Sequence, residues 1–191
     1  MKKLFILLVS TLFAVACNAK PQAEKKEIKP MTNAKTVVVY FSATGTTKNV
    51  AENLAKALNT TAVEIKPLVP YTSADLDWTN KSSRSSVEMN NKSSRPEIVK
   101  NNLDISEYDT IFLGFPIWWG TAPRVVQTFL ERQNFADKTI ILFATSGSSG
   151  MGSTDKDLKP SVDASVKIIK GKTLNGNPSV EELKTWAATF N

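Results

Sequence analysis

Three short segments of the 191-residue chain gather residue types suited to holding a ligand rather than breaking its bonds. Ser42-Ala43-Thr44-Gly45-Thr46-Thr47 sets four hydroxyls around one glycine, between a β-branched apolar run and a helical pattern. The start of a helix offers unpaired backbone N–H groups and the positive end of its dipole, and the added hydroxyls can donate to phosphate oxygens. Gly45 permits positive φ or a close backbone approach. The segment has neither Gly-x-Gly-x-x-Gly nor a Gly-Lys-Ser/Thr ending. The expected ligand is therefore a monophosphate on neutral donors, the alternative being a helix start that is merely well capped.

The second segment, Gly114-Phe115-Pro116-Ile117-Trp118-Trp119-Gly120-Thr121-Ala122-Pro123, places two adjacent tryptophans between prolines. Adjacent residues cannot both face one core, so at least one indole is expected at the surface as a flat platform. Packing of both at the core's rim is the alternative. The third, Thr145-Ser146-Gly147-Ser148-Ser149-Gly150-Met151-Gly152, has glycines and hydroxyls that suit wrapping around a polar heterocycle, or a plain surface loop.

What is missing narrows the chemistry further. The chain contains no histidine, and Cys17 is its only cysteine. Histidine general acid–base catalysis, Ser-His-Asp and Cys-His nucleophiles, zinc fingers and Cys-ligated iron–sulfur clusters are excluded by inventory. Demanding chemistry would have to come from a bound cofactor, and no metal site is expected.

The elements that must position these loops follow from hydrophobic pattern. Continuous apolar runs at Thr36–Phe41, Thr110–Phe115 and Thr139–Ala144 read as strands buried on both faces, with shorter candidates at Ala62–Ile65 and Val166–Ile169. Helical spacing appears at Asn49–Leu58, with Val50, Leu54 and Leu58 on one stripe, and at Pro123–Arg132. Ser179 to Glu182 forms a capping box before a last helix carrying Leu183, Trp186 and Phe190. Strands alternating with helices predict an α/β fold of βαβ units around a parallel sheet, with ligands beyond the strands' carboxyl ends, where all three loops lie. Residues 67–102 form a long polar insert with the near-repeat Lys81-Ser-Ser-Arg84 and Lys92-Ser-Ser-Arg95, and a partial helix is predicted over Pro96–Leu103.

With these motifs the chain resembles the flavodoxin family from about Thr36 to Phe190. Ser42–Thr47 is similar to the flavodoxin phosphate loop Ser/Thr-x-Thr-Gly-x-Thr. The segments Phe115–Gly120 and Thr145–Ser149, with Asp75-Leu-Asp-Trp78, Ser83-Arg84, Glu88-Met89 and Arg95-Pro96, resemble a flavodoxin-like subgroup of bacteria. The resemblance implies a doubly wound five-stranded parallel sheet in order 2-1-3-4-5, with the insert between strands 2 and 3, and FMN as cofactor. It implies phosphate contacts from Ser42, Ala43, Thr44, Gly45, Thr46 and Thr47. Pro116, Ile117, Trp118, Trp119 and Gly120 would flank the isoalloxazine with Thr145, Ser146, Gly147, Ser148 and Ser149. Backbone N–H groups near Gly120 or Gly147 would tune the ring. The third loop departs from electron-carrier flavodoxins in lacking their stacking tyrosine.

The first residues read as an export signal: Lys2 and Lys3, an apolar stretch from Leu4, then Ala14-Val15-Ala16-Cys17. The cysteine resembles that of a bacterial lipobox, with Ala14 where leucine is usual, which implies cleavage after residue 16 and a lipid anchor on Cys17. An ordinary signal peptide is the alternative. Residues 17–35 form a Lys-rich tether and 36–191 the folded domain. The net charge of +6 divides as +2 in the signal, +3 in the tether and +1 in the domain, so it favours anionic lipid at the cell envelope rather than nucleic acid.

Three functions fit. The first is electron transfer through bound FMN between an unnamed donor and acceptor, protein or small molecule. The second is an NAD(P)H-dependent reductase of flavin or quinone type, in which Arg84 and Arg95 contact an anionic substrate. The third is a non-redox flavin-binding or interaction module. In the first two the flavin, not a side chain, is the redox centre.

Overall fold

The computed structural model describes residues 35–190. The export signal, most of the tether and Cys17 lie outside the described residues. Five strands, β1 (Thr36–Tyr40), β2 (Ala62–Glu64), β3 (Thr110–Pro116), β4 (Thr139–Thr145) and β5 (Lys167–Thr173), form one parallel sheet in order β2-β1-β3-β4-β5. That is the expected order. Of the five helices α1 (Thr46–Ala57), α2 (Arg84–Asn90), α3 (Arg124–Glu131), α4 (Thr154–Leu158) and α5 (Val180–Ala187), all but α2 send side chains into the two layers that cover it.

Alternation along each strand sorts the core into those layers. Val37, Val39, Ile111, Leu113, Ile140 and Leu142 pack with Val125, Val126, Phe129 and Leu130 of α3. Val38, Tyr40, Phe112, Ile141 and Phe143 pack with Val50, Ala51 and Leu54 of α1 and with Leu183 and Trp186 of α5. Both faces are dry, which is why these strands read as unbroken apolar runs. Register is continuous through Val38, Phe112, Ile141 and Ile169. Because all strands run the same way, the loops after β1, β3 and β4 leave from one edge.

The structure differs from the expectations in the insert and at element ends. Pro96–Leu103 is not helical. Ile98 forms an antiparallel bridge with Pro67, flanked by Leu68 N–H to Glu97 O and Val99 N–H to Lys66 O, both 2.8 Å. Ile98 packs against the core, and Asn101 accepts from the Leu103 N–H. An extended tie thus satisfies an apolar residue that a proline-started, asparagine-ended helix would hold less well. The helix of the insert is α2 instead, whose buried residues are Ser85, Ser86 and Met89. A largely serine face leaves no apolar period to read. Strand β5 runs on through Lys170-Gly171-Lys172 with a register shift opposite Leu142/Ala144, and its lysines suit a sheet edge. Helix α1 begins at Thr46, three residues before the expected start, so Thr46 and Thr47 are its first turn. Among the described residues no helix is long and apolar enough to cross a membrane.

Candidate functional site

Helix α1 opens without a side-chain cap and without an acidic residue in its first turn. Gly45, at φ 90°, turns the chain into the helix, and its carbonyl accepts the Asn49 N–H at 3.1 Å. The Gly45 N–H goes to Ser42 Oγ at 3.1 Å. The donors and the positive dipole end that a cap or a carboxylate would otherwise occupy face the loop. Thr44 and Thr46 bring their hydroxyls within 3.4 Å of each other at the exposed rim. Thr47 turns inward, its hydroxyl 2.7 Å from that of Thr145.

After β3 the chain makes a tight reversal. Trp118 N–H donates to Thr121 O at 2.9 Å and Thr121 N–H returns to Trp118 O at 3.0 Å, around Trp119 at φ 48° and Gly120 at φ 78°. Two consecutive positive φ values define a type I′ turn. A tryptophan in the first of these places is uncommon and directs attention to its side chain. The two indoles separate, as adjacency requires. Trp118 packs edge-on against Phe41 and Tyr71, at 5.6 and 5.2 Å between centroids, whereas Trp119 is 47% exposed. Ile117 N–H donates to Thr145 O at 2.8 Å. Thr145 therefore joins all three loops, through its hydroxyl to the first and its carbonyl to the second. Beyond it, Ser146 N–H is held by Asn175 Oδ1 and Ser149 N–H by Ser146 Oγ, both at 2.9 Å.

These loops line one cavity of about 580 Å³. Of the expected residues, Ser42, Ala43, Thr44, Thr46, Thr47, Pro116, Ile117, Trp118, Trp119, Thr145, Ser146 and Gly147 lie on its wall. Gly45, Gly120, Ser148 and Ser149 belong to the same loops without contributing to the wall. The insert adds three residues that the sequence reading did not select: Leu76, Trp78 and Ser85. Trp78, 74% exposed, was legible as an isolated large aromatic in a polar stretch; Ser85 carried no signal.

Internal ties hold the insert against this edge. Tyr71 packs between Phe41 and Trp118, donates its hydroxyl to Glu88, and lies under the Arg84 guanidinium at 4.0 Å. Burial and the Glu88 bond raise the phenol's pKa far above neutral, so it remains a donor. Trp78 follows one local turn, in which Thr72 donors bond Asp75, and sits within a second, in which Thr79 donors bond Asp77. Those bonds hold both carboxyls below the usual range. The buried Arg124 donates to Met89 O at 2.8 Å and Glu88 O at 3.4 Å, the final turn of α2, and to Gln127 Oε1 at 3.0 Å.

Arg84 and Arg95, the expected substrate contacts of the reductase reading, are both paired with groups of the protein. Arg84 is engaged by Glu88 at 2.6 Å, by Val69 O and by the Tyr71 ring. Arg95 makes a two-pronged pair with Glu131, at 2.7 and 2.8 Å. Neither is on the cavity wall. Both fasten the insert.

No residue on the wall carries an ionisable side chain, and among the described residues no cluster suits a metal ion. A hydroxyl-rich helix start beside an exposed indole can bind an anion through neutral donors and a flat ring through an apolar face. The volume falls within the usual range for a small-molecule site.

A family model described as Flavodoxin matches residues 35–190. No curated protein matches the chain. Among solved structures, one described as a flavoprotein from Bacteroides eggerthii is 44% identical, with TM-score 0.76 over 82% of this chain and 98% of that one. One from Bacteroides uniformis, described likewise, is 47% identical, with TM-score 0.73 over 81% and 98%. A flavoprotein from Lactobacillus acidophilus, solved in complex with FMN, is 22% identical, with TM-score 0.60 over 81% and 99%; it shares the fold.

Proposed function

This chain belongs to the flavodoxin family, and on that footing we propose that it binds FMN and passes electrons through it at the bacterial cell envelope. The observation that carries the reading is the composition of the cleft: an uncapped helix start, hydroxyls and tryptophans, with no ionisable side chain on the wall. The residues present fit the group. Ser42, Thr44, Thr46 and Thr47, with the α1 amides, would hold the phosphate. Trp119 and the Thr145–Gly147 strand end would flank the ring, and Trp118, wedged against Phe41 and Tyr71, keeps its neighbour in place. When bound, FMN supplies the redox chemistry of its isoalloxazine.

Transfer to a protein or small acceptor is favoured over NAD(P)H-dependent reduction by what the two arginines do. A pyridine dinucleotide brings further phosphates, and the wall offers no cation to meet them. Arg84 and Arg95, the two arginines of the insert, are already paired. Anaerobic mixing of the FMN-loaded protein with stoichiometric NADPH tests this. The flavin band should persist until a separate reductase or a chemical reductant is added. Rapid bleaching by NADPH alone would favour the reductase.

The envelope location is carried by the sequence before the folded domain. Acylation of Cys17 would tether the domain by a Lys-rich segment whose charge suits anionic headgroups. The electron donor and acceptor would then be components that reach that membrane face.

A further inference from the structure

Ser85 lies on the cavity wall, is 1% exposed, and its hydroxyl has no hydrogen-bond partner. The side chains around it are accounted for. Ser83 caps α2, and its hydroxyl donates to that of Ser86 at 2.9 Å. Arg84 is held by Glu88 and Tyr71. The backbone of Ser85 is fixed as well, its N–H donating to Asp75 O at 3.0 Å. A pinned residue thus directs a single unsatisfied group at a cleft whose other polar residues belong to the three loops. A buried hydroxyl without a partner lowers stability, and serine is a poorer helix former than alanine, so the folded apoprotein gains nothing from this side chain.

We propose that Ser85 is a ligand of the bound cofactor: its hydroxyl hydrogen-bonds a polar atom of FMN, and the insert thereby completes a site that the sheet loops leave open on one side. The proposal rests on the FMN reading above. It separates the roles of the insert's residues. Arg84, Arg95 and Arg124 hold the insert in place, and Ser85 makes the contact. It also predicts an opposition that a structural serine would not show: removing the hydroxyl weakens the complex while leaving the empty protein as stable as before, or more so.

The test compares the full wild-type chain with Ser85→Ala. FMN dissociation constants are measured by quenching of flavin fluorescence, and apoprotein melting temperatures are measured in parallel. The expected result is a loss of FMN affinity of about fivefold or more, the size of one ordinary hydrogen bond, with an unchanged or raised apoprotein melting temperature. Equal affinities in the two proteins would overturn the assignment of Ser85 alone. A melting temperature that falls in step with affinity would overturn it too, by making the hydroxyl structural. A wild-type chain that binds no FMN would remove the underlying reading and this proposal together.

Discussion

Thr47 and Thr145 stand 98 positions apart in sequence, yet their hydroxyls meet at 2.7 Å in a buried contact. Replacing Thr47 with valine keeps the shape and strands the Thr145 hydroxyl, which is 4% exposed. The cost should be about 1–3 kcal/mol of stability, read from denaturant midpoints. FMN affinity should fall about tenfold, because the first and third loops lose their link. The double variant T47V/T145V should recover much of the stability, since no orphaned hydroxyl remains, but not the affinity. At this scale the sequence was legible where residue type alone implies a ligand: four hydroxyls around Gly45, and two tryptophans that could not share a core. It was silent where the meaning lies in surroundings. Ser85 resembles Ser83 and Ser86 in sequence, and only packing shows that those two satisfy each other. The pairing of Arg84 and Arg95 was hidden for the same reason. A charge in a polar insert looks available until its carboxylate is located, and Glu131 lies 36 residues from Arg95.

The insert is the element whose placement decides the shape of the cleft, and Arg124 and the Arg95–Glu131 pair are two of the anchors that tie it to α3. Arg124, 8% exposed, caps the final turn of α2 through two carbonyls. Arg124→Met should leave those carbonyls without their charged donor and cost about 2–3 kcal/mol, a drop of about 4–12 °C in melting temperature for a domain of this size. The second anchor is pH-sensitive. Arg95, chiefly through its hydrogen bonds, holds Glu131 below the usual carboxylate value, with Ser161 adding a further donor. A carboxyl depressed on folding stabilises above its ordinary value near 4.5 and loses that contribution as pH falls through the lower folded value. Acid titration followed by tryptophan fluorescence should therefore show loosening below about pH 4.5 that is diminished in Glu131→Gln. Its size should be small, because the pair is partly exposed. The elements of the sheet were legible because burial on both faces writes unbroken apolar runs. Helix α2 was not, because its buried positions are filled by serines and one methionine, and Pro96–Leu103 misled because Ile98 serves an extended bridge.

At the scale of the whole molecule, the proposed reading separates targeting from chemistry. The charge of +6 belongs mainly to the residues before the domain, which itself carries 17 basic and 16 acidic residues from Thr36 onward. A nearly neutral domain gives little electrostatic steering of a redox partner, so electron transfer should depend only weakly on salt. Expression of the full chain in a bacterium supplied with labelled palmitate should yield a labelled, membrane-associated protein, and Cys17→Ser should abolish the label. The strand order was legible from the flavodoxin resemblance, which the sheet bears out. The joining of three loops and an insert around one cavity was not, since it depends on contacts between distant segments. The central claim is that this cavity is an FMN site, and titration of FMN with the full-length apoprotein tests it most directly. Flavin fluorescence should change progressively and reach its limit at one chain per FMN. Fluorescence that stays that of free FMN throughout the titration would contradict the account.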